Sequence, residues 1–500
     1  MYALSRVLLV CASVACLSAA LFCLAVMWPT SAVFLAVIAL GSAARGGWNR
    51  LTTLGSARWA DSRDLRRARM LGASRGIIVG RLRLHRREII FDRVRGLFAP
   101  GTNAHDACRN FFGGRLAKDS GLVRLSQSTH VAAFAPTGAG KGVSLVVPFL
   151  LTSPESAVVV DFKGELATLT AHHRQKQFGH RTVILDPFRI VSKMPDYYNP
   201  LDFIDRTDPL AIDQCNDLAK AMVVRTGEER EKHWDDSAEA WIAAVLATIV
   251  QYGDVGESRS IQTMRELLSD PAKLELAVKL MGESDCWDGM LRRMGGHLRH
   301  FVDKEKSSVL TTVGRHLRFL DTVAVAENTR GSSFNPEKLR DGKMTVYLIL
   351  PPDHLRAQAG LLRLWISSMM RAVVKGGLQE TSLVHFVVDE AASLGHLEAI
   401  DDAIDKYRAF GIRLMLIYQS LGQLRRCFPE GQEQTLLSNA TQVFFGVNDN
   451  QTAEHVSTRL GDSTILVQSG GTSSGNSHQS GLGPQAASSS ASYNASSNWA

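Results

Sequence analysis

The sequence predicts an α/β protein: a parallel sheet, an all-helical domain inserted into it, and an N-terminal transmembrane helical anchor. Three observations predict this. Short apolar runs alternate with helical stretches and end in polar residues, the pattern of parallel strands. From about residue 205 to 330 apolar residues recur at helical spacing instead, as in Trp234, Ala238, Trp241, Ile242, Val245 and Leu246. Residues 7 to 44 carry no charged side chain.

That uncharged run is the first element. As a helix its 38 residues would span roughly 57 Å, nearly two bilayer cores. Pro29-Thr30-Ser31 is the natural break, giving spans at about 7 to 27 and 31 to 44. The second is short and has a re-entrant loop as its alternative. A cleavable leader is the rival reading, from Arg6 and the small residues near Ala19-Ala20. Two spans put both termini inside; one leaves the N-terminus outside.

The net charge of +7 is a local feature. Residues 45 to 100 hold fourteen Arg, no Lys and four acids (Asp61, Asp64, Glu88, Asp92), so this stretch alone carries +10. Directly after an apolar segment, such a cluster fixes the cytoplasmic side. It also attracts anionic lipid headgroups, by about 1 kcal/mol per residue near the surface. A path for nucleic acid is the alternative. The seven Cys show neither C-x-x-C nor His/Cys metal spacing, which argues against a disulfide framework or a zinc site.

Residues 71 to 125 read as a β-rich or irregular lead-in with turns at Gly80, Gly101 and Gly113-Gly114. Buried strands follow at 131 to 135, 157 to 160 and 182 to 185. They resume after the helical stretch at 344 to 350, 383 to 388, 413 to 418 and 442 to 446. Residues 468 to 500 are a Gly/Ser/Asn/Gln tract with too few large apolar side chains for a core, and are expected to be disordered. The expected organisation is then an anchor (1–44), an Arg-rich juxtamembrane and lead-in segment (45–125), a first part of the sheet domain (126–204), the helical insertion (205–335), the second part (336–467) and the tail (468–500).

The chemistry centres on Pro136, Thr137, Gly138, Ala139, Gly140, Lys141, Gly142 and Val143. Strand, Gly-rich turn, Lys and helix form the layout of a phosphate-binding loop. Glycines let successive N–H groups turn inward on a phosphate, and the helix points its positive end at the same anion. Lys141 adds a point charge for the β- and γ-phosphates. The match to G-x-x-x-x-G-K-[ST] departs at both ends: Ala135 replaces the first Gly, and Gly142 stands where Ser or Thr would hold magnesium. The run from Leu383 ends in Asp389 and Glu390. The first acid suits Mg2+ and the second suits polarising the attacking water. Gln419, at the end of the 413-to-418 strand, has the position to sense the γ-phosphate or the water. Together these residues predict a P-loop NTPase.

The same residues carry a resemblance. The chain resembles the TraG/VirD-type coupling proteins of type IV secretion and conjugation systems from about residue 54 to 467. The resemblance rests on Gly55-Ser-Ala-Arg-Trp-Ala60, Ala135-Pro-Thr-Gly-Ala-Gly-Lys-Gly142, Asp161-Phe-Lys-Gly-Glu165, Tyr198-Asn-Pro-Leu-Asp202, Asp389-Glu-Ala391, Arg408 to Gln419, and Phe444-Phe-Gly-Val-Asn-Asp449. It implies a RecA-like ATPase using ATP and Mg2+, an inner-membrane anchor, a helical cap domain and a homo-hexameric ring. The family tolerates Gly after the loop Lys, so magnesium would rely on Asp389, phosphates and water. Implied partners are inner-membrane components of the secretion channel, and relaxase-bound single-stranded DNA or effector proteins as cargo. Ring ATPases of this kind commonly complete the site with an Arg from the neighbouring subunit; Arg408 is the first choice, Arg330 the second.

Two departures stand out. There is almost no room for a periplasmic segment between two spans, and family members usually continue past the Ser/Gly tract into a last ordered segment, whereas this sequence stops at Ala500. The leading expectation is a membrane-anchored coupling ATPase. An FtsK-like pump for double-stranded DNA and a docking adaptor that binds ATP without hydrolysing it are the alternatives.

Overall fold

Buried, mostly apolar strands form the centre of the computed structural model. It describes residues 57–71, 73, 75–83, 121–126, 129–225, 233–355, 357–379, 381–428, 431–463, 473–476 and 491–494. The predicted spans, most of the Arg-rich stretch and most of the tail lie outside these residues. Among the described residues no helix is long and apolar enough to cross a membrane.

The chain divides into two units, one made of residues 1–61, 85–118 and 455–500, the other of 62–84 and 119–454. In the first, Ala57 N donates to Asp462 O at 2.9 Å. Of the tail, Ser473–Asn476 and Ala491–Asn494 are described, and they pair as antiparallel strands. Backbone pairing needs no apolar side chain, so a composition that cannot form a core does not forbid a ladder.

The described residues of the second unit form nine strands. β1 (Ile77–Arg81) and β2 (Leu122–Leu125) form an antiparallel pair. Gly80 is not the turn the sequence suggested; it lies inside β1, where the register slips between Ile78 and Gly80. A Gly in a strand often marks such an irregularity.

The other seven strands are β3 (His130–Phe134), β4 (Ser156–Asp161), β5 (Arg181–Leu185), β6 (Met344–Ile349), β7 (Val384–Val388), β8 (Ile412–Tyr418) and β9 (Ala440–Phe444). They form one parallel sheet in the order β5-β6-β4-β7-β8-β3-β9. Every residue of β3, β4, β6 and β7 is buried. That explains their near-continuous apolar sequences, because a parallel sheet is covered on both faces. Alternate residues serve the two sides. Val131, Ala133, Val159 and Tyr347 pack with Leu150 and Leu166 from helices Val147–Thr152 and Glu165–Phe178. Ala132, Phe134, Val158 and Phe386 belong to the larger core on the other face, with Trp365 of helix Ala359–Lys375.

Between β5 and β6 the described residues form helices and no strand: Ala211–Met222, His233–Tyr252, Ile261–Ser269, Pro271–Gly282, Cys286–Arg299, Asp303–Leu317 and Val323–Asn328. Their ends are written in the sequence. Ser260 accepts from Thr263 N, and Asp270 accepts from Ala272 N and Lys273 N ahead of Pro271, the side-chain caps that start helices. Helix His233–Tyr252 is buried nearly all round over its second half, where Trp241, Ile242, Val245 and Leu246 lie.

Candidate nucleotide site

All chemistry-bearing strand ends converge on the carboxyl edge of the sheet. β3 stops at Phe134, and Ala135 N donates to Tyr418 O at 2.8 Å, tying the start of the loop to β8. Pro136 is half-buried; Thr137, Gly138, Ala139 and Gly140 are exposed. Gly138 and Gly140 have φ of +83° and +80°. A Cβ at Gly138 would meet nothing within 4 Å. The glycine is therefore needed there for its left-handed backbone and not for space. Gly140 is followed by Lys141 in right-handed helical geometry, a left-then-right succession that aims N–H groups into one concavity.

The helix after Lys141 begins differently from a plain α-helix. Gly142–Val146 is a π-turn, with Val147 N donating to Gly142 O, and the α-helix proper is Val147–Thr152. Pro148 explains the need: it has no N–H to give to Ser144 O, so the α-type ladder is already broken at that point. Gly142 is half-buried and Val143 stays 76% exposed on this first turn. π-Turns recur at functional sites.

Lys141 reaches across β8 to the end of β7. Its Nζ donates to Asp389 O at 2.9 Å and stands 3.5 Å from both Asp389 Oδ1 and Glu390 Oε2. Gln419, at the end of β8, donates from Nε2 to Glu390 Oε1 at 3.1 Å and Oε2 at 3.2 Å. Its own N–H is held by Gln423 Oε1 at 2.8 Å. Three neighbouring strands, β7, β8 and β3, thus bring together four residues that lie up to 278 positions apart in the chain.

Burial raises the Asp389 pKa; Lys141 opposes that rise and Glu390 adds to it. Asp389 Oδ1 is buried, with the Lys141 ammonium 3.5 Å away and no well-formed hydrogen bond. An anionic oxygen with spare acceptor capacity beside a phosphate loop fits a hard divalent cation such as Mg2+, which is bound through one or two carboxylates, phosphates and water. The residues present therefore fit the metal.

Lys163 is a residue to which the sequence reading gave no role. It follows β4, the strand next to β7, and its charge is felt at Asp389. The signal was the motif Asp161-Phe-Lys-Gly-Glu165. There Asp161 accepts from Lys163 N at 3.3 Å and Ala167 N at 2.9 Å, opening the next helix.

Arg408 does not join the cluster. The sequence expectation is that Arg408 completes the site of a neighbouring subunit, and within its own subunit it lies between β7 and β8 in the chain. In a parallel sheet the chain between two such strands must return to their amino-terminal edge. Arg408 sits there, exposed, in the turn Tyr407–Phe410 before β8, and its carbonyl accepts from Gly411 N and Arg413 Nη1. Arg330 is exposed after helix Val323–Asn328.

Comparison with known proteins gives a consistent picture. Residues 58–495 match the family described as type IV secretory system conjugative DNA transfer. The chain is 29% identical over 436 residues to the conjugal transfer protein TraG of Escherichia coli, covering 83% of this chain and 65% of that protein. It is 28% identical over 347 residues to the type IV secretion system-coupling protein VirD4 of Bartonella quintana, covering 68% and 54%. It therefore spans about two thirds or less of the length of these relatives. Among solved structures, the plasmid coupling protein TrwB in complex with ADP and Mg2+ aligns with a TM-score of 0.57 at 18% identity, covering 83% of this chain and 85% of that one. At that identity the likeness is one of fold.

Proposed function

The chain belongs to the type IV secretory system conjugative DNA transfer family, and from that premise we propose that it is a coupling ATPase. On this reading it binds ATP with Mg2+ and hydrolyses it. The energy drives a DNA–protein or protein substrate into a type IV secretion channel. The fold is RecA-like, as in TrwB. The observation that carries the reading is the meeting of Lys141, Asp389, Glu390 and Gln419 at one strand edge.

Each residue has a role that its position allows. Gly138 to Val143 cradle the phosphates with backbone amides. Lys141 leaves the two acids and pairs with the β- and γ-phosphates. Asp389 would hold Mg2+, and the ion would supply charge neutralisation at the phosphates. Glu390 accepts the proton of the attacking water, and Gln419 holds its carboxylate in plane. A docking adaptor that only binds nucleotide has no use for that last contact, which favours hydrolysis.

The remaining assignments follow the family. Residues 1–44 anchor the chain in the inner membrane and the NTPase domain faces the cytoplasm. The Arg-rich stretch lies on anionic lipid, six copies form the ring, and relaxase-bound single-stranded DNA, effector proteins or both are the cargo. The test is ATP turnover of the full chain with and without single-stranded DNA. We expect hydrolysis that DNA stimulates and that Lys141→Ala removes; a parent rate equal to that of Lys141→Ala overturns the reading.

A further inference from the structure

Arg363, in helix Ala359–Lys375, is only 3% exposed. Its hydrogen bonds all go to backbone carbonyls, in two pairs. Nε donates to Ala221 O at 2.9 Å and Nη2 to Val223 O at 3.3 Å, at the end of helix Ala211–Met222. Nη1 donates to Leu394 O at 2.8 Å and to His396 O, in the turn that follows Glu390. A buried guanidinium held this way is stabilised by the negative end of a helix and by carbonyls that the helix itself leaves unpaired. Its planar fork fixes the two segments relative to each other, which a lysine ammonium does not.

Both segments lead somewhere. A single turn, Ala391–Leu394, separates Glu390 from Leu394, and Ser393 donates to Glu390 O from both N (3.0 Å) and Oγ (2.7 Å). A displacement of Leu394 is thus carried to Glu390. Gly395, at φ +62° and ψ −157°, is in a region open essentially to Gly alone, and its reversal turns the carbonyls on either side of it to one guanidinium. On the other side, Val224 N donates to His316 Nδ1 at 3.4 Å and Arg225 to Glu239 at 2.7 Å, tying the chain to helices Asp303–Leu317 and His233–Tyr252. A cavity of about 320 Å³ lies alongside, lined among others by Arg363, Ser367, Met370 and Leu397. Ser367 Oγ, buried, has no partner. The joint therefore has room to shift.

We infer that Arg363 is a positioning residue that links the Glu390 turn to the helical segment, so that nucleotide binding at Lys141 is felt at residues 211–225. The inference rests on the nucleotide-site reading. Nothing in it requires Arg363 to touch substrate.

The experiment is hydrogen–deuterium exchange of the full chain, with and without a non-hydrolysable ATP analogue and Mg2+, read by mass spectrometry. In the parent, the analogue changes exchange both at 390–396 and at 211–225. In Arg363→Lys the analogue binds with parent affinity and changes 390–396, but the response at 211–225 is lost. Turnover falls by on the order of 100-fold, the cost of a small misplacement near the chemistry, while KM stays near the parent value. Gly395→Ala, which keeps Arg363 but disturbs the turn, gives the same pattern and decides the matter if Arg363→Lys does not fold. A parent that binds the analogue without a response at 211–225, or folded variants that keep it, overturn the link alone. A parent that does not bind the analogue overturns the nucleotide-site reading and the link with it.

Discussion

Gln419 donates from one amide nitrogen to both carboxylate oxygens of Glu390, at 3.1 and 3.2 Å. The contact holds the carboxylate plane while Lys141 stands 3.5 Å from the same group. On the proposed reading, this is the group that would take the proton of the attacking water once phosphates draw the lysine away.

Glu390→Gln keeps the shape and the hydrogen-bonding capacity of this arrangement and removes the base. Nucleotide binding should persist while kcat falls by a factor on the order of 100 or more, the range of general-base losses. Lys141→Ala should abolish binding. Equilibrium titration with a fluorescent nucleotide and steady-state turnover separate the two, and a Glu390→Gln enzyme running at the parent rate would show that the role of Glu390 is misassigned.

Gln419→Ala should leave nucleotide affinity near the parent value and give a kcat between those of the parent and Glu390→Gln. The base remains but loses the donor that orients it. Turnover below that of Glu390→Gln would mean that Gln419 has a second task.

Arg408→Ala should bind and hydrolyse ATP near the parent rate, because the side chain lies at the opposite edge of the sheet from Lys141. If turnover is instead lost, mixing Arg408→Ala with Lys141→Ala subunits tells why. Activity recovered in mixed rings would place the arginine across a subunit interface.

Two histidines set a stability window. Burial first, then neighbouring Arg413 and Arg408, push the His130 pKa down to about 4. Burial and Arg174 do the same to His180, also to about 4. His180 is engaged by Thr345 Oγ1 and Pro154 O, each at 2.9 Å. In the unfolded chain both titrate at about 6.5. At these two sites the unfolded state therefore binds more protons between those values, so their contribution to stability is complete above about pH 6.5 and is lost as the pH falls toward 4. Tm measured across that range should fall. His130→Asn, which can still accept from Leu414 N, should flatten part of the decline; an unchanged slope would remove His130 from the account.

Much of the sheet is legible in the sequence because its central strands are buried on both faces. The apolar run from Leu383 becomes β7 from Val384, and the run from Arg413 becomes β8 from Ile412. β9 is half-buried along its whole length, and its weaker apolar signal put it two residues late. Strand order was not legible, since β4 pairs with β6 and β7 through residues far away in the chain, such as Val158 with Val346. Nor was it legible that Arg408 sits at the amino-terminal edge of its own sheet, because position along the chain does not give position along a parallel strand. The bonds of Arg363 left no trace in the sequence because every acceptor is a backbone carbonyl, which any residue supplies.

Lys141 and Asp389 are 248 residues apart, and among the described residues β3 pairs with β8 and β9, which both come later. On a ribosome adding about 5–20 residues per second, roughly 12 to 50 s separate the lysine from its acid. Through that interval the five residues of β3 have no strand beside them, and the whole helical segment is made in the meantime. The nascent chain must therefore keep an apolar strand, with a charged loop at its end, out of wrong pairings until β8 and β9 have been synthesised.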